Sequence, residues 1–198
     1  MRILSFLFFI LLSVKASGQP SASAYYALEL VPGLNLVGLQ LDVRDAKVSS
    51  LFPEVPDGTE VYQIQSGQFT TNVFRRGQWS RSDDAVNVGE GLFLLNPAST
   101  SVVTTIAGPI LQGDLTNLVP AGLSLRCAII PRQGKLTQTL GLKLSAFDNV
   151  YIWTNGILQT FTFMPDGSWR PFEPTVAVGQ GFMINASKPL NWVIHFSL

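Results

Sequence analysis

The sequence predicts an all-β fold made of two tandem, structurally similar units. A Gly-x-Gly turn that leads into an apolar strand occurs at residues 88–96 and again at residues 178–185. Glycine permits the positive φ that such a turn needs, and a run of Leu, Phe, Met and Ile is typical of a strand buried on both faces. Other landmarks recur at an offset of about 90 residues, which indicates an internal repeat.

The repeated landmarks keep one order in both halves of the chain. The equivalent pairs are Gly33 and Gly122, Tyr62 and Tyr151, Trp79 and Trp169, Gly89 and Gly179, and Gly91 and Gly181. We therefore expect one β-rich repeat over residues 25–108 and a second over residues 109–198. No low-complexity or charged linker separates them. We expect the repeats to pack on each other with approximate two-fold symmetry, as a sandwich or a small barrel.

Each repeat is expected to run as strand, short helix, strand, hairpin and strand. In the first repeat, the opening strand at residues 34–41 changes its apolar phase near Gly38, as a bulge would cause. Asp45 is a candidate cap for a short helix that ends before Pro53. The remaining strands are expected at residues 59–64, 69–74, 89–96 and 101–107.

The second repeat is expected to follow the same course. Its opening strand covers residues 123–130, and a short helix lies near residues 136–140. Asn155-Gly156 stands between two apolar runs, which is the strongest short-range signal for a hairpin. Residues 191–196 form the closing strand.

Residues 1–24 read as an export signal. Arg2 precedes an apolar run over residues 3–14, and small residues then allow cleavage after Gly18 or after Ala24. The run is shorter than the roughly 20 residues of a spanning helix. We therefore expect a secreted or cell-surface protein with no membrane span in the mature chain, with an uncleaved anchor as the alternative.

Composition restricts the partners. Charged residues make up 13% of the 198 residues, and the formal net charge is zero. The electrostatic attraction on which nucleic-acid binding depends is therefore missing, and we exclude nucleic acid as a partner.

The sequence provides few residues for catalysis or for metal binding. Cys127 is the only cysteine, so no internal disulfide forms, and it alternates with apolar residues as a buried strand position does; its counterpart is Gly38. His195, the only histidine, lies in the terminal strand, where an edge or surface position is expected. A serine or cysteine triad and a zinc site both need more than these residues. We expect no cofactor.

Acidic residues leave two alternatives open. Calcium has candidate ligands in Asp42, Asp45, Asp83 and Asp84, although their spacing is not that of a calcium loop. A glycosidase would use two carboxylates from Glu54, Glu60, Glu90 and Glu173. The counterpart of Glu90 is Gln180, which is neither a base nor a nucleophile, and this favours a polar turn residue.

Aromatic residues are the candidate ligand contacts. An exposed ring on a β-surface can stack on a sugar or anchor a protein partner. The candidates are Trp79, Trp169, Trp153, Tyr62 and Tyr151. For Trp79 and Trp169 there is an alternative interpretation: tryptophans that recur at equivalent positions can also fill the core of each repeat.

The repeated motifs resemble the small tandem β-repeats of secreted and cell-surface bacterial proteins, which often begin with Gly-Trp-Asn-Leu and end with a Gly-Lys/Glu-Gly-Tyr/Phe strand. Gly33-Leu34-Asn35-Leu36 and Gly122-Leu123-Ser124-Leu125 match the first motif in part, and the turns at Gly89 and Gly179 match the second. The resemblance implies an extracellular module with no assigned reaction and no catalytic residue.

Taken together, these features predict a non-catalytic module with a structural or adhesive role, whose partner is a polysaccharide or a surface protein. A carbohydrate-binding module that uses exposed aromatic rings is the first alternative. A glycoside hydrolase with a carboxylate pair is the second.

Overall fold

The computed structural model describes residues 23–65, 67–154 and 156–197, and over these residues the protein is all-β. The export signal expected at residues 1–24 lies outside the described residues, except for Ser23 and Ala24, which begin the first strand. No helix in the described ranges has the length and apolar character needed to cross a lipid bilayer.

The elements of the first half are short strands and one helical turn. They are β1 (Ser23–Leu30), β2 (Gly33–Gly38), α1 (Val48–Leu51), β3 (Glu60–Gln65), β4 (Gln68–Arg75), β5 (Gln78–Trp79), β6 (Gly91–Asn96) and β7 (Val102–Pro109). The boundary expected between residues 108 and 109 therefore falls at the last residue of β7.

The second half is built from strands alone over its described residues. They are β8 (Gly113–Val119), β9 (Gly122–Arg126), β10 (Gly134–Lys135), β11 (Asn149–Thr154), β12 (Ile157–Phe163), β13 (Trp169–Arg170), β14 (Thr175–Val176), β15 (Phe182–Ala186) and β16 (Leu190–Phe196).

Two antiparallel five-stranded sheets dominate the fold. Their strand orders are β2-β6-β3-β4-β5 and β9-β15-β11-β12-β13. In both sheets the strand that follows the Gly-x-Gly turn is flanked by the opening strand and by the first strand of the hairpin. Strand β6 therefore lies between β2 and β3, and β15 lies between β9 and β11. Two-stranded ribbons, β1 with β7 and β8 with β16, bring together the first and last strands of each half.

Each half buries its own apolar core between the five-stranded sheet and the ribbon. The first core includes Leu30 from β1, Phe52 after α1 and Leu94 from β6. The second includes Phe182 from β15 and Trp192 from β16. Alternation along the strands accounts for this arrangement, because successive side chains of a strand point to opposite faces of the sheet.

A third apolar cluster joins the halves. Its buried members are Leu36, Phe93, Leu125 and Met183, which lie on the outer faces of the two five-stranded sheets. Each sheet therefore buries both faces at its centre, which explains why the strands after the Gly-x-Gly turns are apolar at almost every position.

The hairpins form as the sequence predicts. Thr154 pairs with Ile157, as the predicted Asn155-Gly156 turn requires, although Asn155 itself lies outside the described residues. In the first half Gln65 pairs with Gln68 in the same way. In each case two residues of the sequence separate the paired residues, which is the commonest loop length in β-hairpins.

The helix predictions are wrong in part. In the first half α1 is shorter than expected and its N-cap is Lys47; Asp45 instead accepts a hydrogen bond from the Ser50 hydroxyl at 2.6 Å. In the second half residues 136–140 form turns rather than a helix. Thr139 N–H and Leu140 N–H both donate to Lys135 O, so the regular hydrogen bonds of an α-helix do not continue along this segment.

The opening strand of the first half is also shorter than expected. It leaves the β2 ladder at Gly38, the position where the sequence indicates a bulge. Beyond Gly38 the single residue Leu39 bonds to two residues of the turn that leads into β6: its N–H donates to Glu90 O at 3.1 Å, and its carbonyl oxygen accepts from Gly89 N–H at 2.8 Å.

Candidate functional site

Each Gly-x-Gly turn bonds to the opening strand of the other half. Gly38 N–H donates to Gly179 O, and Cys127 N–H donates to Gly89 O, both at 2.9 Å. Gly38 and Cys127 are equivalent by the sequence repeat, and so are Gly179 and Gly89. The same contact is therefore made twice, once in each direction.

Close backbone approach explains the second glycine of each turn. A Cβ at Gly91 would lie 2.9 Å from Arg126 O, and a Cβ at Gly181 would lie 2.5 Å from Val37 O. Real Cβ atoms do not come this close to backbone oxygens. Glycine is consequently required at these two positions, because any side chain would collide with the backbone of the other half.

The reciprocal contact leaves two open clefts between the halves. The Trp153 cleft has a volume of about 470 Å³, and its walls include Leu36, Val37, Trp153, Thr154 and Gln180. The Arg126 cleft has a volume of about 240 Å³, and the equivalent wall residues are Leu125, Arg126, Ile64, Gln65 and Glu90. The clefts are thus built at the same place in the two halves but have different chemistry.

The Trp153 cleft contains the one predicted ligand-contact tryptophan that is not fully buried. Its indole N–H donates to Leu34 O at 2.6 Å, and its ring meets Phe93 edge to face with centroids 6.3 Å apart. These contacts fix the ring while part of it still lines the cleft. Glu29, which is exposed, and Gln180 provide polar groups on the same walls.

The Arg126 cleft contains a charged pair. The Arg126 side chain is 13% exposed, and its Nη1 lies 3.6 Å from Glu90 Oε1, which is longer than a direct hydrogen bond. Its Nε is buried and has no hydrogen-bond partner among the described residues. Burial lowers the pKa of the guanidinium, and the Glu90 charge opposes that effect.

Glu90 makes the same kind of hydrogen bond as its counterpart Gln180 in the other half. Its Oε2 accepts a hydrogen bond from Asn87 N–H at 2.9 Å, and Gln180 Oε1 accepts one from Ala177 N–H at 2.9 Å. Both side chains brace the turn that precedes the apolar strand. The geometry agrees with the interpretation of Glu90 as a polar turn residue.

The other candidate glycosidase carboxylates have separate surroundings. Glu60 accepts a hydrogen bond from the Tyr62 hydroxyl, which raises the pKa of Tyr62 to about 12. Burial raises the pKa of Glu173, but hydrogen bonds from Thr137 and Gln138 outweigh it and hold the pKa below its usual value. Glu54 is exposed after α1.

Two of the four candidate calcium ligands form salt bridges. Asp83 pairs with Lys47 at 2.8 Å, and Asp84 pairs with Arg81 at 2.9 Å. Within residues 23–65, 67–154 and 156–197, no three His, Cys, Asp or Glu side chains come together in a group that could hold a metal ion.

Cys127 and His195 occupy the positions that the sequence indicates. Cys127 is fully buried, and burial raises the pKa of its thiol far above the usual value. His195 is exposed on β16, and its Nδ1 lies 2.8 Å from Asp114 Oδ1 on the paired strand β8.

Trp79 and Trp169 are core residues. They are 7% and 8% exposed, and each meets a phenylalanine edge to face, with centroids 5.3 Å from Phe74 and 5.4 Å from Phe163. Neither ring presents a face to a ligand, so the ligand-contact hypothesis does not fit these two residues.

Tyr62 and Tyr151 are half-buried beside the third apolar cluster. Tyr62 also lines an open apolar groove of about 580 Å³ on the outer face of the first sheet, together with Phe69, which is 55% exposed. Sequence reasoning missed Phe69 and Arg126. The sequence does contain a signal for Arg126, because this charged residue occupies the position equivalent to the apolar Val37 of the first half.

No protein-family model, curated protein or solved structure matches this chain. The resemblance to bacterial β-repeats therefore stays a prediction, and the assignment of the clefts rests on their geometry.

Proposed function

We propose that the chain is an exported, non-catalytic module with a structural or adhesive role, in which two repeats form one continuous β-structure around an approximate two-fold axis. The observation that carries the proposal is the reciprocal bonding of the two Gly-x-Gly turns to the opposite halves. A contact that is made twice in opposite directions is what a two-fold axis between duplicated units produces.

Further pairs of equivalent contacts support the duplication. Strand β3 of the first half contacts β9 of the second, and β11 of the second half contacts β2 of the first. The edge-to-face pairs of Phe74 with Trp79 and of Phe163 with Trp169 have nearly the same spacing. The strand orders of the two large sheets correspond element by element.

The use of the recurrent residues supports a role without catalysis. Gly91 and Gly181 allow close backbone approach, Trp79 and Trp169 fill the cores, and Glu90 and Gln180 brace turns. A duplicated scaffold in which these matched residues support folding is suited to holding a surface in place.

A direct test uses the purified mature chain. We expect saturable binding to intact bacterial cells or to one of a panel of immobilised polysaccharides, without release of reducing sugar from any of them. Turnover of a glycan that survives purification to constant specific activity would contradict the proposal. A chain that binds neither cells nor polysaccharides retains only the structural role.

Carbohydrate binding through the Trp153 cleft is a second candidate. A partly exposed indole, fixed by a hydrogen bond to Leu34 O, provides a flat surface beside polar side chains. A sugar that stacks there should quench tryptophan fluorescence. Trp153→Ile, which introduces the residue found at the equivalent Ile64, should abolish sugar binding measured by calorimetry, whereas Trp153→Phe should retain it.

A further inference from the structure

The charged pair of the Arg126 cleft is not required by the fold. At the equivalent positions of the other cleft stand Val37 and Gln180, and the backbone contacts there are the same. An isolated backbone bridge joins Glu90 to Arg126, and another joins Gln180 to Val37. The chain therefore builds this junction equally well without charges.

Burial of the Arg126 side chain is energetically unfavourable, because it removes a charged group from water. Its guanidinium is largely removed from water, its Nε has no acceptor among the described residues, and its Nη1 has only long contacts, with Leu125 O at 3.4 Å and with Glu90 Oε1 at 3.6 Å. Buried charged groups ordinarily have close, hydrogen-bonded partners. The cleft consequently has donors for a ligand that brings acceptor oxygens.

The adjacent charges select a neutral ligand. Glu90 would repel an anion, and Arg126 would repel a cation. A hydroxyl group both donates and accepts, so the hydroxyl groups of a neutral ligand can accept from Arg126 and donate to Glu90. The side chains of Gln65 and Asn87 add amide donors and acceptors along the walls.

The size and the remaining wall suit a single ring. The cleft volume of about 240 Å³ is below the roughly 300 to 1,000 Å³ of sites for drug-sized ligands. Ile64 and Leu125 form an apolar wall, against which the C–H face of a sugar can pack.

We propose that the Arg126 cleft binds one neutral sugar residue, with Arg126 donating to its hydroxyl oxygens and Glu90 accepting from its hydroxyl groups. This inference rests on the proposed adhesive role, for which it names the ligand class. It concerns a site other than the Trp153 cleft, and none of its wall residues is an aromatic candidate from the sequence.

The test titrates the purified mature chain with glucose, galactose, mannose, N-acetylglucosamine and glucuronate, with ligand-observed NMR and calorimetry as readouts. We expect saturable binding of at least one neutral sugar and weaker binding of glucuronate. Arg126→Val, which copies Val37, should weaken binding about tenfold or more, because a charge-assisted hydrogen bond is lost. Glu90→Gln, which copies Gln180, should weaken it by a smaller factor, because an amide oxygen remains.

Arg75→Gln is the control, since Arg75 is exposed at the end of β4 and is not part of the cleft wall. It should bind like the unmodified chain. Thermal unfolding followed by circular dichroism checks that each variant is folded, and Glu90→Gln still tests the site if Arg126→Val does not fold.

Three results would overturn the inference: no binding of any neutral sugar, binding that both cleft variants leave unchanged, or a preference for glucuronate. Loss of binding in Trp153→Ile but not in Arg126→Val would assign the sugar to the other cleft and also overturn it. Adhesion to cells that no free sugar competes for would leave the adhesive role intact while this inference fails. Sugar binding without adhesion would give the reverse outcome.

Discussion

Gly38 and Cys127 occupy equivalent positions in the two halves and face each other across the junction, where there is space for only one side chain. A Cβ placed on Gly38 would lie 2.2 Å from Cys127 Cβ and 2.7 Å from its Sγ. The thiol is fully buried, with Sγ 3.3 Å from the carbonyl oxygens of Leu39 and Glu90. The two halves therefore differ at the point where identical residues larger than glycine would collide.

Gly38→Ala should destabilise the protein by about 2–3 kcal/mol, because the added methyl group overpacks the junction. Gly38 does not have a positive φ, so the effect is steric rather than conformational. Combining Gly38→Ala with Cys127→Gly moves the side chain to the other half and should recover much of the loss. Urea unfolding of the single and double variants measures this coupling. Strictly additive free energies would contradict the described contact.

The Cys127 thiol should be unreactive in the folded protein. Burial raises the pKa of the thiol, so almost no thiolate is present at neutral pH, and the group is shielded from solvent. Reaction with a chromogenic disulfide reagent should be slow in buffer and fast in denaturant. Complete labelling within seconds in buffer would show that the junction opens.

Gly181→Ala should be more damaging than Gly33→Ala, although alanine is the new residue in both. At Gly181 the Cβ would lie 2.5 Å from Val37 O, so the backbones of the two halves must separate. At Gly33 nothing lies within 4 Å, and the cost, about 1 kcal/mol, comes from its φ of 88°. Thermal unfolding compares the two variants, and equal losses would contradict the close approach at Gly181.

Trp79→Phe should destabilise the protein more than Trp169→Phe does, by about 1 kcal/mol. The Trp79 indole N–H donates to Phe52 O at 2.9 Å, and the substitution leaves that buried carbonyl without its donor. Trp169 Nε1 is buried without a hydrogen-bond partner among the described residues, so phenylalanine removes an unsatisfied group there. Denaturant titrations of both variants measure the difference, and the reverse order would contradict the assigned hydrogen bonding.

Export should produce a mature chain that begins at Gln19. Cleavage after Gly18 leaves β1 complete, whereas cleavage after Ala24 removes Ser23 and Ala24, which pair with Pro109 and Gly108. Intact-mass measurement of the exported protein distinguishes the two sites. A mature chain that begins at Tyr25 would show that these two residues are dispensable, and a chain that retains Met1 would support an uncleaved anchor.

Several elements could be predicted from the sequence because their causes are local. Asn155-Gly156 and the alternating residues around it specify a hairpin, and the apolar strand after Gly181 indicates burial on both faces. The second predicted helix fails because the Leu140 N–H bonds to Lys135 O, five residues back, so the hydrogen bonds of an α-helix do not continue, and apolar spacing alone does not reveal this. Burial of Trp79 and Trp169 was one of two interpretations, since recurrence does not say which side of a sheet a ring occupies.

The sequence by itself determined the β-rich class and the hairpin turns, because residues close together in the chain are responsible for both. Only the tertiary structure decided that each turn bonds to the opposite half, that Gly38 meets Cys127, and that Arg126 faces Glu90 in a cleft. These contacts join residues that are dozens of positions apart. Their geometry follows from how the two sheets pack, a property that no local pattern contains.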